Sequence, residues 1–80
     1  MAKTPQRLRV LDYIKHNGSI TALDAVNDLG IIDLAARIRD LRREGFPIVS
    51  TPERGINRFG ERCDYVRYSL YGRARHDTNV

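Results

Sequence analysis

The stretch Thr21-Ala22-Leu23-Asp24-Ala25-Val26-Asn27-Asp28-Leu29-Gly30-Ile31-Ile32-Asp33-Leu34-Ala35-Ala36-Arg37-Ile38-Arg39-Asp40-Leu41-Arg42-Arg43-Glu44-Gly45 decides the architecture. Thr21 is a helix N-cap, because its hydroxyl can accept one of the orphan N–H groups of a first turn. Asp24, three residues on, makes an approximate capping box with Asp in place of the usual Glu. Ala22, Leu23, Ala25, Val26 and Leu29 supply the apolar face of this helix, and Gly30 stops it. The alanines are small enough for another helix to cross closely. After Ile31-Ile32, Asp33 is a second N-cap, and the next helix runs from about Leu34 to Glu44, closed by Gly45. Leu34, Ile38 and Leu41 form its buried stripe. At about 100° per residue, the opposite side holds Ala36, Arg39, Asp40 and Arg43, with Arg37 and Arg42 on the flanks.

Upstream, Thr4 and Pro5 open a first helix over residues 5–16, where the missing proline N–H costs nothing. Leu8, Leu11 and Ile14 recur at helical spacing, with Val10 and Tyr13 beside the stripe, and Asn17-Gly18 ends it. Ser19-Ile20 is a short extended connector with one buried side chain. Downstream of Gly45 the period becomes alternating. Phe46-Pro47-Ile48-Val49-Ser50-Thr51 reads as a strand and Tyr65-Val66-Arg67-Tyr68-Ser69-Leu70 as its partner. Val66, Tyr68 and Leu70 are expected to face the core, leaving Tyr65, Arg67 and Ser69 outside. Pro52 to Asp64, with Gly55, Asn57, Gly60 and three Arg, reads as a long hairpin loop, partly paired at best. Residues 1–71 therefore make one domain, and 72–80 form a polar tail expected to be disordered.

Eighty residues bury a modest core and leave no room for a deep substrate cavity beside it. The formal net charge is +4, and its distribution is uneven. Residues 1–36 carry four basic and four acidic groups, a net of zero. Residues 37–75 carry ten Arg and no Lys against five Asp and Glu, a net of +5. Arginine's planar fork suits bidentate contact with phosphate or guanine, so the clustering points to an anionic partner. A solvated charged surface is the plainer alternative.

The single Cys63 cannot form an internal disulfide, and no Cys/His spacing resembles a metal site. No cofactor is expected. No apolar run is long enough for a membrane span, and Met-Ala-Lys-Thr-Pro leads straight into an amphipathic helix, so a cytoplasmic protein with no membrane partner is expected. A catalytic reading has little to stand on: there is no Ser/His/Asp or Cys/His arrangement and no phosphate-binding Gly loop. Cys63 beside Arg62 is one thiol without a base.

A supporting helix, two helices joined by a short Gly-containing turn, and a following hairpin give an α+β winged helix-turn-helix, with a short third strand near Ile20. The chain resembles the small winged helix-turn-helix domain family common in bacteriophage and prophage genomes. Five segments carry the resemblance: Gln6-Arg7-Leu8-Arg9-Val10-Leu11-Asp12-Tyr13, Gly18-Ser19-Ile20-Thr21, Leu34-Ala35-Ala36-Arg37-Ile38-Arg39-Asp40-Leu41-Arg42, Gly45-Phe46-Pro47-Ile48 and Asn57-Arg58-Phe59-Gly60. It runs from about Gln6 to Leu70 and implies DNA binding, with the second helix of the motif as reader.

A major groove about 12 Å wide admits one helix, read best from its N-terminal part. Ala36, Arg37 and Asp40, with Asp33, are the expected base readers, and Arg39 and Arg43 reach toward phosphate. Arg37 could take guanine O6 and N7 together. Asp40 could accept from a cytosine amino group, or hold Arg37 or Arg43 in place. In the wing, Arg54, Arg58 and Arg62 could lie along phosphates or enter the minor groove, the alternative being a flexible charged loop. Phe59 is expected to fold back as a small anchor rather than project as a wedge. Lys3, Arg7 and Arg9 could touch phosphates from the first helix. Double-stranded DNA is the expected partner, and transcription regulation in a phage or prophage setting the expected role. A homodimer, a host protein blocked by the same Arg-rich face, and an architectural or excision factor that bends DNA are the competing readings.

Overall fold

Local chemistry at Gly18, Thr21, Gly30 and Asp33 divides the chain into its elements. The computed structural model describes residues 4–71. Helix α1 (Gln6–Asn17) starts one residue later than expected, with Pro5 rather than Thr4 at its N-cap and no side-chain cap bond. Gly18 ends it with φ 92°, its N–H donating to the Ile14 carbonyl, a conformation that suits only a residue without Cβ. The buried side chains of α1 are Val10, Leu11 and Ile14; Leu8 is only half-buried, so the stripe is centred on Val10 rather than beside it.

Strand β1 (Ile20–Thr21) leads directly into helix α2 (Ala22–Asp24). The capping box is complete: the Thr21 hydroxyl accepts from the Asp24 N–H at 3.2 Å, and the Thr21 N–H donates to Asp24 Oδ2 at 3.0 Å. The helix then widens into a π-helical segment, Ala25–Leu29, and Gly30 (φ 68°) closes it by donating to the Ala25 and Val26 carbonyls. Its apolar face is narrower than expected. Ala25 is buried and Leu29 packs against the core, but Leu23 (68% exposed) and Val26 (46%) face outward. A three-residue α turn followed by a wider π turn does not keep the angular spacing that would align all five apolar side chains.

Thr21 serves sheet and helix together. Replacing it with Ala is expected to lower the unfolding free energy by about 1–2 kcal/mol, while Thr21→Ser, which still caps, recovers most of that. Urea unfolding curves measure both.

From the π-helical segment the chain turns through Ile31, buried, and Ile32, exposed, into α3 (Leu34–Arg43). Asp33 Oδ1 accepts from the Ala36 N–H at 3.2 Å. The expected stripe Leu34, Ile38 and Leu41 is buried, joining Val10, Leu11, Ile14, Ile20, Ala25, Ile31 and Ile48 in one core. Strands β2 (Ile48–Ile56) and β3 (Arg62–Leu70) form the wing, antiparallel from Ile48↔Leu70 to Ile56↔Arg62. The sheet order is β1-β3-β2, with Ile20 opposite Tyr68.

The wing corrects two expectations. Its loop is only residues 57–61; Pro52 to Ile56 and Arg62 to Asp64 are strand. Pro52 is tolerated because β2 lies at the sheet edge, where one flank needs no N–H donor. Gly55 is strand because Tyr65 fills its space: a Cβ there would sit 3.1 Å from the Tyr65 ring. The core-facing alternation also fades outward. Tyr68 and Leu70 pack against the core, but Val66, paired with Pro52, is 37% exposed. The strands extend beyond the helices that cover their base. The tail 72–80 lies outside the described residues.

Candidate nucleic-acid interface

The outward side of α3 sorts into engaged and unengaged arginines. Arg42 is engaged. Its guanidinium donates to the Ile48 carbonyl (3.2 and 3.0 Å) and to Ser50 Oγ (2.7 Å), clamping α3 to the start of β2. Arg37 is engaged too, toward α1 rather than outward: its Nη1 donates to Gln6 Oε1 at 3.2 Å, and its Nε lies 3.1 Å from Asp40 Oδ2. That Nε is buried and makes no aligned hydrogen bond, so the Asp40 contact is a charge contact rather than a directed one. To reach guanine, Arg37 would have to give up both partners. Ala36 is buried, at 9% exposure, and is withdrawn from the set of base readers. A methyl group is short enough to be covered by longer neighbours on the same helix.

Arg39 and Arg43 are the unengaged pair. Both are exposed, and neither makes an ion pair or hydrogen bond with another described residue. They stand one turn apart on one face, where like charges repel by a few tenths of a kcal/mol until an anion relieves them. Ala35, which sequence reasoning passed over, is exposed beside them, as is Asp33. Helical spacing could have found Ala35, since it precedes Arg39 by one turn. From α1, Arg9 is exposed without a described partner, Arg7 pairs with Glu44 at the end of α3, and Lys3 lies outside the described residues. Arg7 and Gln6 thus pin α3 to α1 at two points.

In the wing, Arg54 faces Asp64 across the strands at 3.9 Å, a solvent-exposed pair of little energetic weight. Arg62 stands opposite Ile56, Arg58 sits in the turn, and both are exposed without a described partner. The turn is not a flexible loop. Asn57 Oδ1 accepts from the Phe59 N–H (2.9 Å) and the Glu61 N–H (3.1 Å), and Asn57 Nδ2 donates to Glu61 Oε1 (3.2 Å). The Asn57 N–H donates to the Glu61 carbonyl, and the Gly60 N–H to that of Asn57. Contrary to expectation, Phe59 does not fold back: it is 78% exposed. The turn's own side chain, Asn57, satisfies the backbone that a folded aromatic would otherwise have to shield.

On the other face of the hairpin, Arg67 Nε donates to both Glu53 carboxylate oxygens at 3.0 Å, and Nη1 to Ser19 Oγ at 3.0 Å. These bonds tie the wing to the connector before β1. The Arg67 and Tyr65 hydrogen bonds hold the Glu53 carboxyl below the usual carboxylate range. Stability from this pair is present above the ordinary Glu pKa and is lost as pH falls through the lowered folded value. Glu53→Gln is expected to lower the neutral-pH melting temperature while changing the value in acid little, so that part of the acid limb of a melting-temperature profile flattens.

Tyr13 Oη donates to Asp28 Oδ2 at 2.6 Å, linking α1 to the π turn. This bond, with some burial and the Asp24 and Asp28 charges, pushes the phenol up to about 12. A surface depression of about 350 Å³ lies beside it among Arg9, Tyr13 and Leu29 and is wide open. Cys63 is a half-buried free thiol. Among the described residues no cluster of His, Cys, Asp or Glu could hold a metal ion, and no helix is long and apolar enough to cross a membrane.

Three helices, a connector strand and a two-stranded wing, with an arginine-bearing second motif helix, define a winged helix-turn-helix of the kind that binds DNA. The chain belongs to the winged helix-turn-helix domain family, whose model matches residues 5–73. No match was found among curated proteins or among solved structures.

Proposed function

We propose that this chain binds double-stranded DNA as a transcriptional regulator, with α3 in the major groove and the wing on phosphates or in the minor groove. The observation that carries the reading is the unpaired Arg39–Arg43 face on the second helix of the motif. Arg39 and Arg43 reach phosphate. Base reading falls to Asp33, Arg37 and Asp40, each of which has to share or leave the partner it holds in the free protein. Arg54, Arg58 and Arg62 supply the wing's share. The phage or prophage setting, and a cytoplasmic location in a bacterial host, belong to this proposal and rest on the resemblance.

Fluorescence anisotropy of a labelled random duplex at about 50 and 200 mM salt tests it, since counterion release makes phosphate binding weaken steeply over that range. Micromolar or tighter binding with that slope supports the reading. No binding at the lower salt overturns it. A second reading, a host-protein partner, is favoured by one observation: Leu23 on α2, Val26 on the π-helical segment and Ile32 in the turn (87% exposed) are apolar and outward-facing.

A further inference from the structure

The tip of the wing combines three properties that are seldom found together on a solvated turn. Its aromatic is out: Phe59 is 78% exposed, and Ile56 beneath it, at the last pair of the ladder, is 73% exposed. Its backbone is fixed by the five hydrogen bonds around Asn57, with Gly60 at φ 77° making the reversal. A side chain presented this way has already met the cost of ordering its backbone, so insertion into a partner loses little further entropy. Its charge is sorted as well. Of the wing's three carboxylates, Glu53 is paired with Arg67, Asp64 lies 3.9 Å from Arg54 in an exposed pair, and Glu61 accepts from the Asn57 amide and keeps its charge, whereas Arg58 and Arg62 on either side of Phe59 face no counterion among the described residues.

We infer that Phe59 is a wedge that enters the minor groove and inserts between adjacent base pairs, with Arg58 and Arg62 on the flanking phosphates. The inference rests on the DNA-binding reading above and deepens it. A large apolar face between two cations matches a base step: the ring replaces a stacked neighbour, and the cations neutralise phosphates that flank the opened step. Nine residues per strand at roughly 3.3 Å each give the hairpin a length near 30 Å, enough to place its tip well beyond the helices at its base. The cost is the unstacking of one step, which is lowest at flexible pyrimidine–purine steps such as TA, so these are the preferred sites. Insertion kinks the duplex away from the wing.

The test uses the full chain and a duplex with a central TA step, labelled at its ends for energy transfer and carrying 2-aminopurine at that step. At saturating protein, the wild type brightens the 2-aminopurine and shortens the end-to-end distance by a bend of about 20–90°. Phe59→Ala loses both signals, yet keeps the slope of log affinity against log salt, which counts phosphate contacts. Phe59→Leu, still an apolar wedge, restores most of the bend. Arg39→Ala with Arg43→Ala does the reverse, weakening binding while leaving the bend in the saturated complex. Binding with no brightening, or a Phe59→Ala complex bent like the wild type, overturns the wedge alone and moves the wing tip to a protein contact. Failure to bind any duplex overturns the wedge and the DNA reading together.

Discussion

Arg39→Ala combined with Arg43→Ala lowers affinity for a random duplex by roughly ten- to a hundredfold near 50 mM salt, and flattens the salt slope by about two units. The magnitude follows from what each guanidinium does in the free protein, which is nothing structural. Neither has a partner to abandon on binding, so almost none of its contact energy is offset by a lost intramolecular bond. The same argument makes Arg42→Ala the right control. Arg42 holds Ile48 and Ser50, so its loss loosens the joint between α3 and the wing and lowers the unfolding free energy. The salt slope should change little. Arg37→Ala falls between: it removes a charge and also frees Asp40 and Gln6, and its effect on sequence preference should exceed its effect on non-specific binding. Titrations at two salt concentrations, paired with urea melts, separate the three cases.

Leu41→Ala is expected to be the most damaging single change to the fold. Leu41 is fully buried, and its carbonyl accepts from the Phe46 and Glu44 N–H groups where α3 ends. Truncating a fully buried leucine costs about 2–5 kcal/mol, part transfer energy and part cavity. A domain of this length has of order 4–12 kcal/mol in total. The loss corresponds to a fall in melting temperature of roughly 10–30 °C, read by calorimetry or circular dichroism. Ile38→Val, which removes one methyl from the same stripe, should cost only about 1 kcal/mol. A Leu41→Ala variant that melts within a few degrees of wild type would mean that the three-helix core is not what limits stability.

What could be read from the sequence was whatever depends on neighbours in the chain. The Thr21–Asp24 box, the Asp33 cap and the stops at Gly18 and Gly30 are decided within a few residues, and the stripe Leu34, Ile38, Leu41 follows from period alone. What could not be read depends on distant partners. Arg37 is turned by Gln6, 31 residues away, so its place on the helical wheel does not tell where its charge points. Gly55 and Pro52 look like loop residues in isolation. The Tyr65 ring and the open sheet edge make them strand. Phe59 departs from expectation for the opposite reason: aromatic residues usually seek cover, but the local bonds of Asn57 complete the turn without it. The candidate interface narrows accordingly, with Ala36 withdrawn and Arg37 and Asp40 occupied with each other.

The sheet order carries a consequence for how the chain is made. Its middle strand is β3, the last element among the described residues, so Ile20 waits for Tyr68 and Thr21 for Arg67. At about 5–20 residues per second of synthesis, some 2–10 s separate the emergence of β1 from that of its hydrogen-bonding partner. Each helix that forms in that interval lacks the strand that closes it, and β2 when it follows has nothing to pair with. The nascent chain therefore completes its fold in one late step, when β3 becomes available to β1 and β2 together.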